Sequence, residues 1–407
     1  MSEHSTQSPK PEKLDLADFL IPSTVALAVG VAGIALAVLC TWFRLFGSTG
    51  TQLAYSWLFA CSYVITISFG SLFWVLLHHA TNAGWSVAIR RIVEKAAGMI
   101  PYIGLMLLLP MIVLAPKIYL WMTPASLTAA EKHMLHLKEP FLTIPFFWGA
   151  SVFYFVALSL LALLLKRWSC QQDESGDVKL SLRMRHLAYP GIFFFAVVMT
   201  FWAFHWLMGI DFLWFSTMWG VYIFAGSAWS SMALLIVMVT ILKAKGYLSI
   251  ITEEHYHIMG KLLFAFTVFW AYIAFDQYML YWYANIPEET TFFIKRNQGL
   301  WHWYCIFLLT IGHFAVPFLL LLTQWIKRTT TTILAMGCYV LVLHMLDLYW
   351  IILPQLHPDT IHLHILDILC LVGVVGVMTF IFLKSLGRHG LFPARDPRLV
   401  ETLTLKN

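Results

Sequence analysis

Long apolar runs, separated by short polar segments, recur along almost the whole chain. A helix needs about 20 apolar residues to cross the hydrocarbon core of a bilayer, and ten of these runs are long enough. Strands of a membrane barrel would instead be about ten residues long and alternate in character. The pattern therefore predicts an all-α, polytopic membrane protein with ten transmembrane helices, numbered here spans 1 to 10. The predicted spans are 22–43, 54–77, 97–116, 144–165, 190–208, 214–242, 262–283, 300–322, 333–353 and 361–383.

Short loops and a weak internal repeat indicate how the spans are arranged. No loop is long enough to bury a core of its own, so consecutive helices are expected to be antiparallel neighbours. Gly70-Ser71 in span 2 is matched by Gly226-Ser227 in span 6, four helices later. Repeats separated by an even number of helices run parallel, so this pattern predicts two four-helix bundles plus two peripheral helices. The predicted divisions are an N-terminal tail at 1–21, peripheral helix 1 and its loop at 22–53, the first bundle at 54–208, the second bundle at 209–353, peripheral helix 10 at 354–383 and a C-terminal tail at 384–407.

Charge is distributed unevenly across this topology. Only 12% of the residues are charged, against about 25% in soluble domains, and the mean hydropathy is +0.76. Of the 26 Lys and Arg residues, 20 fall on the side that holds both termini, which predicts that both tails are cytoplasmic. The first 20 residues are polar and of mixed charge, unlike a cleavable signal peptide. Basic pairs such as Arg90-Arg91 suit anionic membrane lipids and do not indicate nucleic-acid binding.

The cysteine and histidine patterns bear on metal cofactors. The six cysteines are scattered singly and form no CxxC motif or Cys/His cluster. We therefore expect this chain to bind no iron–sulfur cluster, zinc or c-type haem. A b-type haem needs histidines at matching depths on facing helices, whereas His313 and His344 lie at heights of about 10 and 16 Å. Any redox metal is expected in a partner subunit.

Three acidic residues lie deep inside predicted spans: Asp276 in span 7, Asp347 in span 9 and Asp367 in span 10. A carboxylate in the bilayer core costs roughly 2.5–3.5 kcal/mol on insertion scales, so it needs a partner, a proton or water. At about 1.5 Å of rise per residue, all three lie about 21 Å from the predicted cytoplasmic surface. This common depth predicts one functional layer, with Asp276 as its central member.

Histidines accompany the acids. His344 precedes Asp347 by three residues and His364 precedes Asp367 by three, so each pair is expected to share a helix face. Histidine and carboxylate side chains are common proton carriers, which predicts a proton path through the second half of the chain. Its predicted members are Asp276, Asp347, His344, Asp367, His364 and His313. Each could instead serve only to hydrogen-bond a neighbouring helix.

Several stretches resemble the NrfD-like family of polysulfide-reductase membrane subunits. They are residues 69–85, His205 with 209–211, 218–220, and 275–289. Within that family, the second such subunit of bacterial alternative complex III, a quinol:cytochrome c oxidoreductase, is the most similar. The resemblance covers essentially the whole chain, with ten spans in the expected order.

The resemblance implies a bacterial cytoplasmic membrane and a multisubunit complex. The implied partners are a sister NrfD-like subunit, a periplasmic iron–sulfur/molybdopterin-like subunit and a multihaem cytochrome c, which would carry the iron–sulfur clusters and haem c. The implied substrate is menaquinol or ubiquinol, bound in the first bundle near the periplasmic face. Spans 2 to 5 hold no acid in the membrane core, so His205 and Asp211 are the nearest candidates for contacting quinol.

These observations favour an integral membrane subunit of a quinol-oxidising complex that provides a proton path. Whether the isolated chain is an enzyme stays open. A stand-alone proton-coupled secondary transporter is a second possibility, although such proteins usually have helices broken at the midplane. Interruptions such as Pro110 lie nearer the ends of the predicted spans. A purely structural anchor for periplasmic redox subunits is a third.

Overall fold

The computed structural model describes residues 12–406, apart from the side chains of Leu16 and Glu288. Within those residues, ten helices are long and apolar enough to cross a membrane, and no strand is formed. The predicted all-α, polytopic class is thereby confirmed. The spanning helices are Leu16–Trp42, Gly50–Ala80, Val87–Ala97 continued by Ile100–Leu114, Ile144–Ser175, Val178–Trp206, Trp219–Ala244, Glu253–Ala284, Gly299–Leu322, Thr330–Ile352 and Ile365–Leu386.

Short helices occupy several connections between the spans. The α-helical ones are Ala129–Leu137, Pro287–Lys295, Gln324–Arg328 and Leu399–Leu403. Single 3₁₀ turns are Leu45–Gly47, Gly84–Ser86, Ala115–Lys117, Leu120–Met122, Pro124–Ser126, Met208–Asp211 and Leu353–Gln355. Span 8 contains a π-helical stretch, Cys305–Ala315, between the α-helical turns Gly299–Tyr304 and Val316–Leu322.

The observed helix ends depart from the predicted ones for identifiable reasons. Residues 1–11 of the predicted N-terminal tail lie outside the described residues. Span 1 begins at Leu16 rather than 22, because the side chain of Asp15 caps it by accepting from the backbone N–H of Ala17. Spans 4, 5 and 7 are longer than predicted, because their helices continue into polar sequence that a prediction from hydropathy leaves out. Span 10 begins four residues later than predicted, because His364 is its N-cap.

The spans close into two rings. Spans 2 to 5 contact one another in one ring and spans 6 to 9 in a second, and span 2 packs along span 6. Spans 1 and 10 pack against each other, and span 10 also packs on span 2. Spans 2 and 6 are the most buried of the ten, and span 1 is the least. The molecule thus has two four-helix bundles joined at spans 2 and 6, with spans 1 and 10 at the periphery.

Spans 2 and 6 meet backbone to backbone. A Cβ atom added at Gly70 would lie 1.9 Å from the carbonyl oxygen of Ser227 and 2.5 Å from Ser231 Oγ. Small residues permit this close approach between membrane helices. Gly70 and Ser227 belong to the two matched pairs of the sequence repeat, so the matched segments lie directly against each other.

The segment after span 10, predicted as a tail, is docked on the helices. Leu391 is fully buried, and its backbone N–H donates to the carbonyl of Glu12. Asp396 pairs with Arg90, and the hydroxyl of Thr402 donates to the carbonyl of Gly84 at 2.6 Å. The predicted cytoplasmic end of span 3 is therefore covered by the chain's own C-terminal segment.

Replacing Gly70 with alanine should destabilise the protein strongly. The added methyl group would force spans 2 and 6 apart, and overpacking of this kind costs about 1–3 kcal/mol or more. Gly149→Ala is the matched control, because Gly149 is exposed in span 4 and no heavy atom lies within 4 Å of the added Cβ. Thermal unfolding in detergent should show a clear loss for Gly70→Ala only. Equal midpoints for the two variants would contradict the close contact.

Docking of the C-terminal segment should weaken in acid. Burial, together with Lys95, Arg91, Lys166 and Arg388, lowers the pKa of His389 to about 4. The docked segment therefore favours neutral histidine. Its stabilisation is complete above the ordinary histidine pKa of about 6.5 and is lost as the pH falls towards 4. Hydrogen–deuterium exchange of the segment, corrected for intrinsic rates, should rise over this range. His389→Gln should remove that dependence, and an unchanged profile would contradict this assignment.

Candidate functional site

Asp347 is a buried acid that accepts hydrogen bonds from two other spans. Its side chain is 2% exposed and lies where spans 6, 7 and 9 meet. The hydroxyl of Tyr222 donates to Oδ1, and the indole N–H of Trp270 donates to Oδ2 at 3.3 Å. Two donors from two other helices thus offset the cost of placing this carboxyl group inside the protein.

His344 lies beside Asp347, as the spacing predicted. A Cβ atom on Gly226 would lie 3.1 Å from His344 Cε1 and 3.9 Å from Asp347 Oδ2, so both side chains face span 6 at a glycine. Nε2 of His344 is 2.8 Å from the hydroxyl oxygen of Thr66 in span 2. Nδ1 is buried and has no hydrogen-bond partner among the described residues. His344 therefore links the first bundle to the second.

His313 is held between two indole rings. Its ring centroid is 4.1 Å from that of Trp229 in span 6 and 3.6 Å from that of Trp270 in span 7. It is fully buried, and neither ring nitrogen bonds another described residue. His313 belongs to the π-helical stretch of span 8, and such stretches are frequent at functional sites.

These side chains form one group between the bundles, which we call the central cluster. It consists of Tyr222, Trp270, His313, His344 and Asp347. Trp270 contacts both Asp347 and His313, and Gly226 lies beside both Asp347 and His344. The acid and the two histidines are therefore grouped around Trp270 and Gly226. A buried acid, a phenol and two imidazoles that each have an unpaired ring nitrogen can accept and return protons.

Asp367 forms a separate polar group between spans 2 and 10. Oδ1 accepts from the hydroxyl of Ser56 at 2.5 Å and from the amide of Gln52 at 3.1 Å. Nε2 of His357 is 2.8 Å from the amide oxygen of Gln52. An amide oxygen can only accept, so Nε2–H of His357 donates this bond. Asp367 is thereby fixed mainly by structural hydrogen bonds.

His364 does not share a helix face with Asp367, and that prediction was wrong. His364 has an extended backbone and precedes the first turn of span 10. Its Nδ1 accepts from the backbone N–H of Leu366, and Asp367 Oδ2 accepts from the backbone N–H of His364 at 3.0 Å. The two residues form a capping box, a motif that satisfies unpaired N–H groups at a helix start. Residues three apart share a face only within a continuous helix, and span 10 begins between these two residues.

The structure does not bring Asp276 together with Asp347 or Asp367. Asp276 is half-buried and shares its side of span 7 with the exposed residues Tyr272 and Tyr283. Among the described residues, no hydrogen bond or ion pair joins it to another side chain. The three acids share a predicted depth, but that depth does not bring them into contact. Asp276 lies on an exposed side of its helix, whereas Asp347 and Asp367 lie on buried sides of theirs.

His205 and Asp211 are engaged with other protein groups. His205 is fully buried, with Nδ1 2.8 Å from the hydroxyl of Tyr154 and Nε2 3.2 Å from the carbonyl of Phe141. Asp211 forms an ion pair with Lys295 at 2.8 Å. Contact between quinol and these two residues would require existing bonds to open.

Further buried polar groups follow span 2 from Ser62, one turn to the outer side of Thr66, to His78 near the predicted cytoplasmic end. Ser62, Thr66, Ser71 and His78 are buried along span 2. Ser62 Oγ and both ring nitrogens of His78 have no hydrogen-bond partner within the described part of the chain. Along span 2, the gaps between these four residues are about 6, 8 and 10 Å. The two bundles therefore enclose a spaced row of polar groups.

A large cavity adjoins the central cluster on the predicted outer side. It has a volume of about 700 Å³ and lies between spans 7 and 8, beside the helix Pro287–Lys295. Tyr222 and Trp270 form part of its wall, and Phe275 at its margin is exposed. We call it the lateral cavity, because it opens between two spans.

Sequence reasoning missed Trp270, Trp229 and Arg296. Arg296 is 2% exposed, and its guanidinium donates to the carbonyls of Phe292, Trp350 and Ile351, the last two at the end of span 9. The sequence offers one signal for Arg296, because few Lys and Arg residues lie on the predicted outer side of the membrane and Arg296 is one of them. Nothing in the sequence distinguishes the two tryptophans that enclose His313 from the other sixteen.

A comparison with protein-family models and one with curated proteins each found no match to this chain. Within residues 12–406, no group of three or more His, Cys, Asp or Glu side chains is placed to hold a metal ion. The fold and the site therefore define a ten-span helical membrane protein with a buried acid–histidine cluster.

Replacing Asp347 with leucine should destabilise the protein, whereas Asp276→Leu should not. The first change leaves the Tyr222 hydroxyl and the Trp270 N–H without an acceptor, and each unpaired buried donor costs about 1–3 kcal/mol. The second removes an unpaired carboxylate from an apolar helix. Thermal unfolding of both variants in the same detergent measures the difference. A greater loss for Asp276→Leu would contradict these assignments.

Proposed function

We propose that this chain is a membrane subunit of a quinol-oxidising respiratory complex and carries protons between its two helix bundles. The ten-span helical architecture and the NrfD-like stretches at 69–85 and 275–289 support a complex of the alternative complex III type. In such a complex, quinol loses two electrons and two protons. Partner iron–sulfur clusters and haem c take the electrons, and this chain moves protons.

The central cluster is the observation that carries the proposal. Asp347 alternates between carboxylate and carboxylic acid, with Tyr222 as its hydrogen-bonded neighbour on the side of the lateral cavity. His344 and His313 have unpaired ring nitrogens beside it and can take the proton further. Unpaired buried polar atoms are costly, so their grouping here favours hydration or proton exchange at this place.

Beyond the cluster, the proposed route follows the contact between spans 2 and 6. Thr66 contacts His344, and Ser71 and His78 continue the row towards the predicted cytoplasmic side. Gaps of about 8 and 10 Å along the helix are short enough for one to three hydrogen-bonded water molecules. Asp347 takes the central place in this route that depth alone had assigned to Asp276, while Asp367 and His364 serve mainly to fix span 10.

A proton-coupled secondary transporter is the second candidate, favoured by one observation. Span 8 is interrupted near its middle by the π-helical stretch Cys305–Ala315, and transporters often have irregular helices at their binding sites. Purification in mild detergent separates the two proposals. A complex subunit brings c-type haem absorbance and sister membrane chains, whereas a transporter comes alone.

Asp347→Asn should stop most quinol-driven proton movement, because an amide cannot exchange a proton but can still accept from Tyr222. Loss of such a group typically slows proton transfer about 10²-fold or more. Proton release per electron, measured with the complex in vesicles, should fall while haem content stays normal. Asp276→Asn is the matched control, being the same change at the same predicted depth.

Three outcomes would contradict this assignment. Normal proton stoichiometry in Asp347→Asn would exclude the central cluster as the route. Normal stoichiometry in both variants, with normal assembly, would favour a structural anchor. Loss in Asp276→Asn alone would return the central role to span 7.

A further inference from the structure

We propose that the lateral cavity binds the ring of a membrane-soluble hydroquinone and prefers the reduced form to the quinone. The ligand class rests on the proposed function, but the site is a different one from His205 and Asp211. It lies in the second bundle, between spans 7 and 8.

The size and walls of the cavity suit a planar aromatic ring. Its volume of about 700 Å³ is within the range of about 300–1,000 Å³ common for small-molecule sites. Trp219, Tyr222, Trp270 and Phe292 line it. Aromatic side chains favour offset or edge-on contact with another ring. An apolar tail can leave between spans 7 and 8, where Phe275 is exposed.

Unpaired donors in the wall indicate a ligand with oxygen atoms. Trp219 and Trp350 both line the cavity, and their side chains are 2% and 6% exposed. The indole nitrogen of each is buried without a hydrogen-bond partner among the described residues. Both nitrogens have almost no accessible surface, so each indole would have to turn slightly for its N–H to donate to a bound ring. A quinone and a hydroquinone both have ring oxygens that can accept, so these donors do not distinguish the two forms.

Tyr222 supplies the distinction. Its single hydroxyl proton is donated to Asp347 Oδ1, so while that carboxyl group is ionised the phenol oxygen can only accept. A hydroquinone hydroxyl can donate to it, whereas a quinone carbonyl has no proton to give. The cavity therefore favours the reduced form, and the ligand's hydroxyl proton gains a hydrogen-bonded connection to Asp347 through Tyr222.

A phospholipid headgroup fits the cavity less well. Arg296 is the cation in its wall, but its guanidinium already donates to three carbonyls and is 2% exposed. An anionic headgroup would have to break those bonds, which also satisfy the end of span 9. The wall thus offers neutral donors and an acceptor, which match a hydroquinone better than a phosphate.

Binding of a short-chain naphthohydroquinone and its oxidised form to the purified protein, with its native partners, tests this inference. Anaerobic calorimetric titrations without turnover should show the reduced form binding about tenfold more tightly at a site in this chain. Tyr222→Phe should reduce that preference to near unity. Tyr304→Phe is the control, because Tyr304 is also buried but donates to the carbonyl of Leu346 and is not part of the cavity wall.

A second pair of variants tests the location. Ala271 lines the cavity, so Ala271→Trp should fill it and abolish binding of both forms. Ala265→Trp is the control, on the exposed side of the same span. Unchanged binding in Ala271→Trp, or an unchanged preference in Tyr222→Phe, would overturn the inference. So would release of a tightly bound phospholipid by Ala271→Trp with quinol binding intact.

The tests of the lateral cavity and of the proton route can succeed or fail independently of each other. Loss of proton movement in Asp347→Asn with normal quinol binding in Ala271→Trp would retain the proton route and reject the cavity. Redox-selective binding that depends on Tyr222 and Ala271, with normal proton movement in Asp347→Asn, would retain the cavity and reject the route.

Discussion

The backbone contact between spans 2 and 6 is the constraint on which the site depends. Gly70 lets the carbonyl of Ser227 approach so closely that no side chain fits between the helices. That approach places Thr66 of span 2 within hydrogen-bond distance of His344, which itself packs against Gly226 of span 6. Two four-helix bundles separated by ordinary side chains could not share these polar groups. The junction of the two most buried spans therefore also contains buried polar groups.

Burial of an acid here is made possible by donors from separate helices. Asp347 receives one hydrogen bond from span 6 and one from span 7, so it depends on the tertiary fold rather than on its own helix. Asp367 is held partly by its own helix start, where it accepts from the backbone N–H of His364, and partly by Ser56 of span 2. The first arrangement leaves the carboxyl group near two histidines that have unpaired ring nitrogens. The second uses its acceptors for structure.

Sequence and elementary physics were sufficient for the class and for the number of spans, because the cost of unpaired backbone groups in lipid leaves long apolar helices as the solution. They also placed His344 beside Asp347, since three residues return to the same side of a continuous helix. They failed for His364 because a helix start lies between it and Asp367. They failed to place Asp276 because hydropathy gives depth along a helix but not the direction of a side chain.

The π-helical stretch of span 8 explains why the surroundings of His313 could not be predicted. An α-helix turns about 100° per residue, from 3.6 residues per turn, whereas i→i+5 bonding widens each turn. Over Cys305–Ala315 the face assigned from α-helical spacing therefore drifts away from the real one. The drift brings His313 between Trp229 of span 6 and Trp270 of span 7, and Trp270 in turn bonds Asp347. The local change in the geometry of span 8 therefore places His313 in the central cluster, and this placement is seen only in the packed structure.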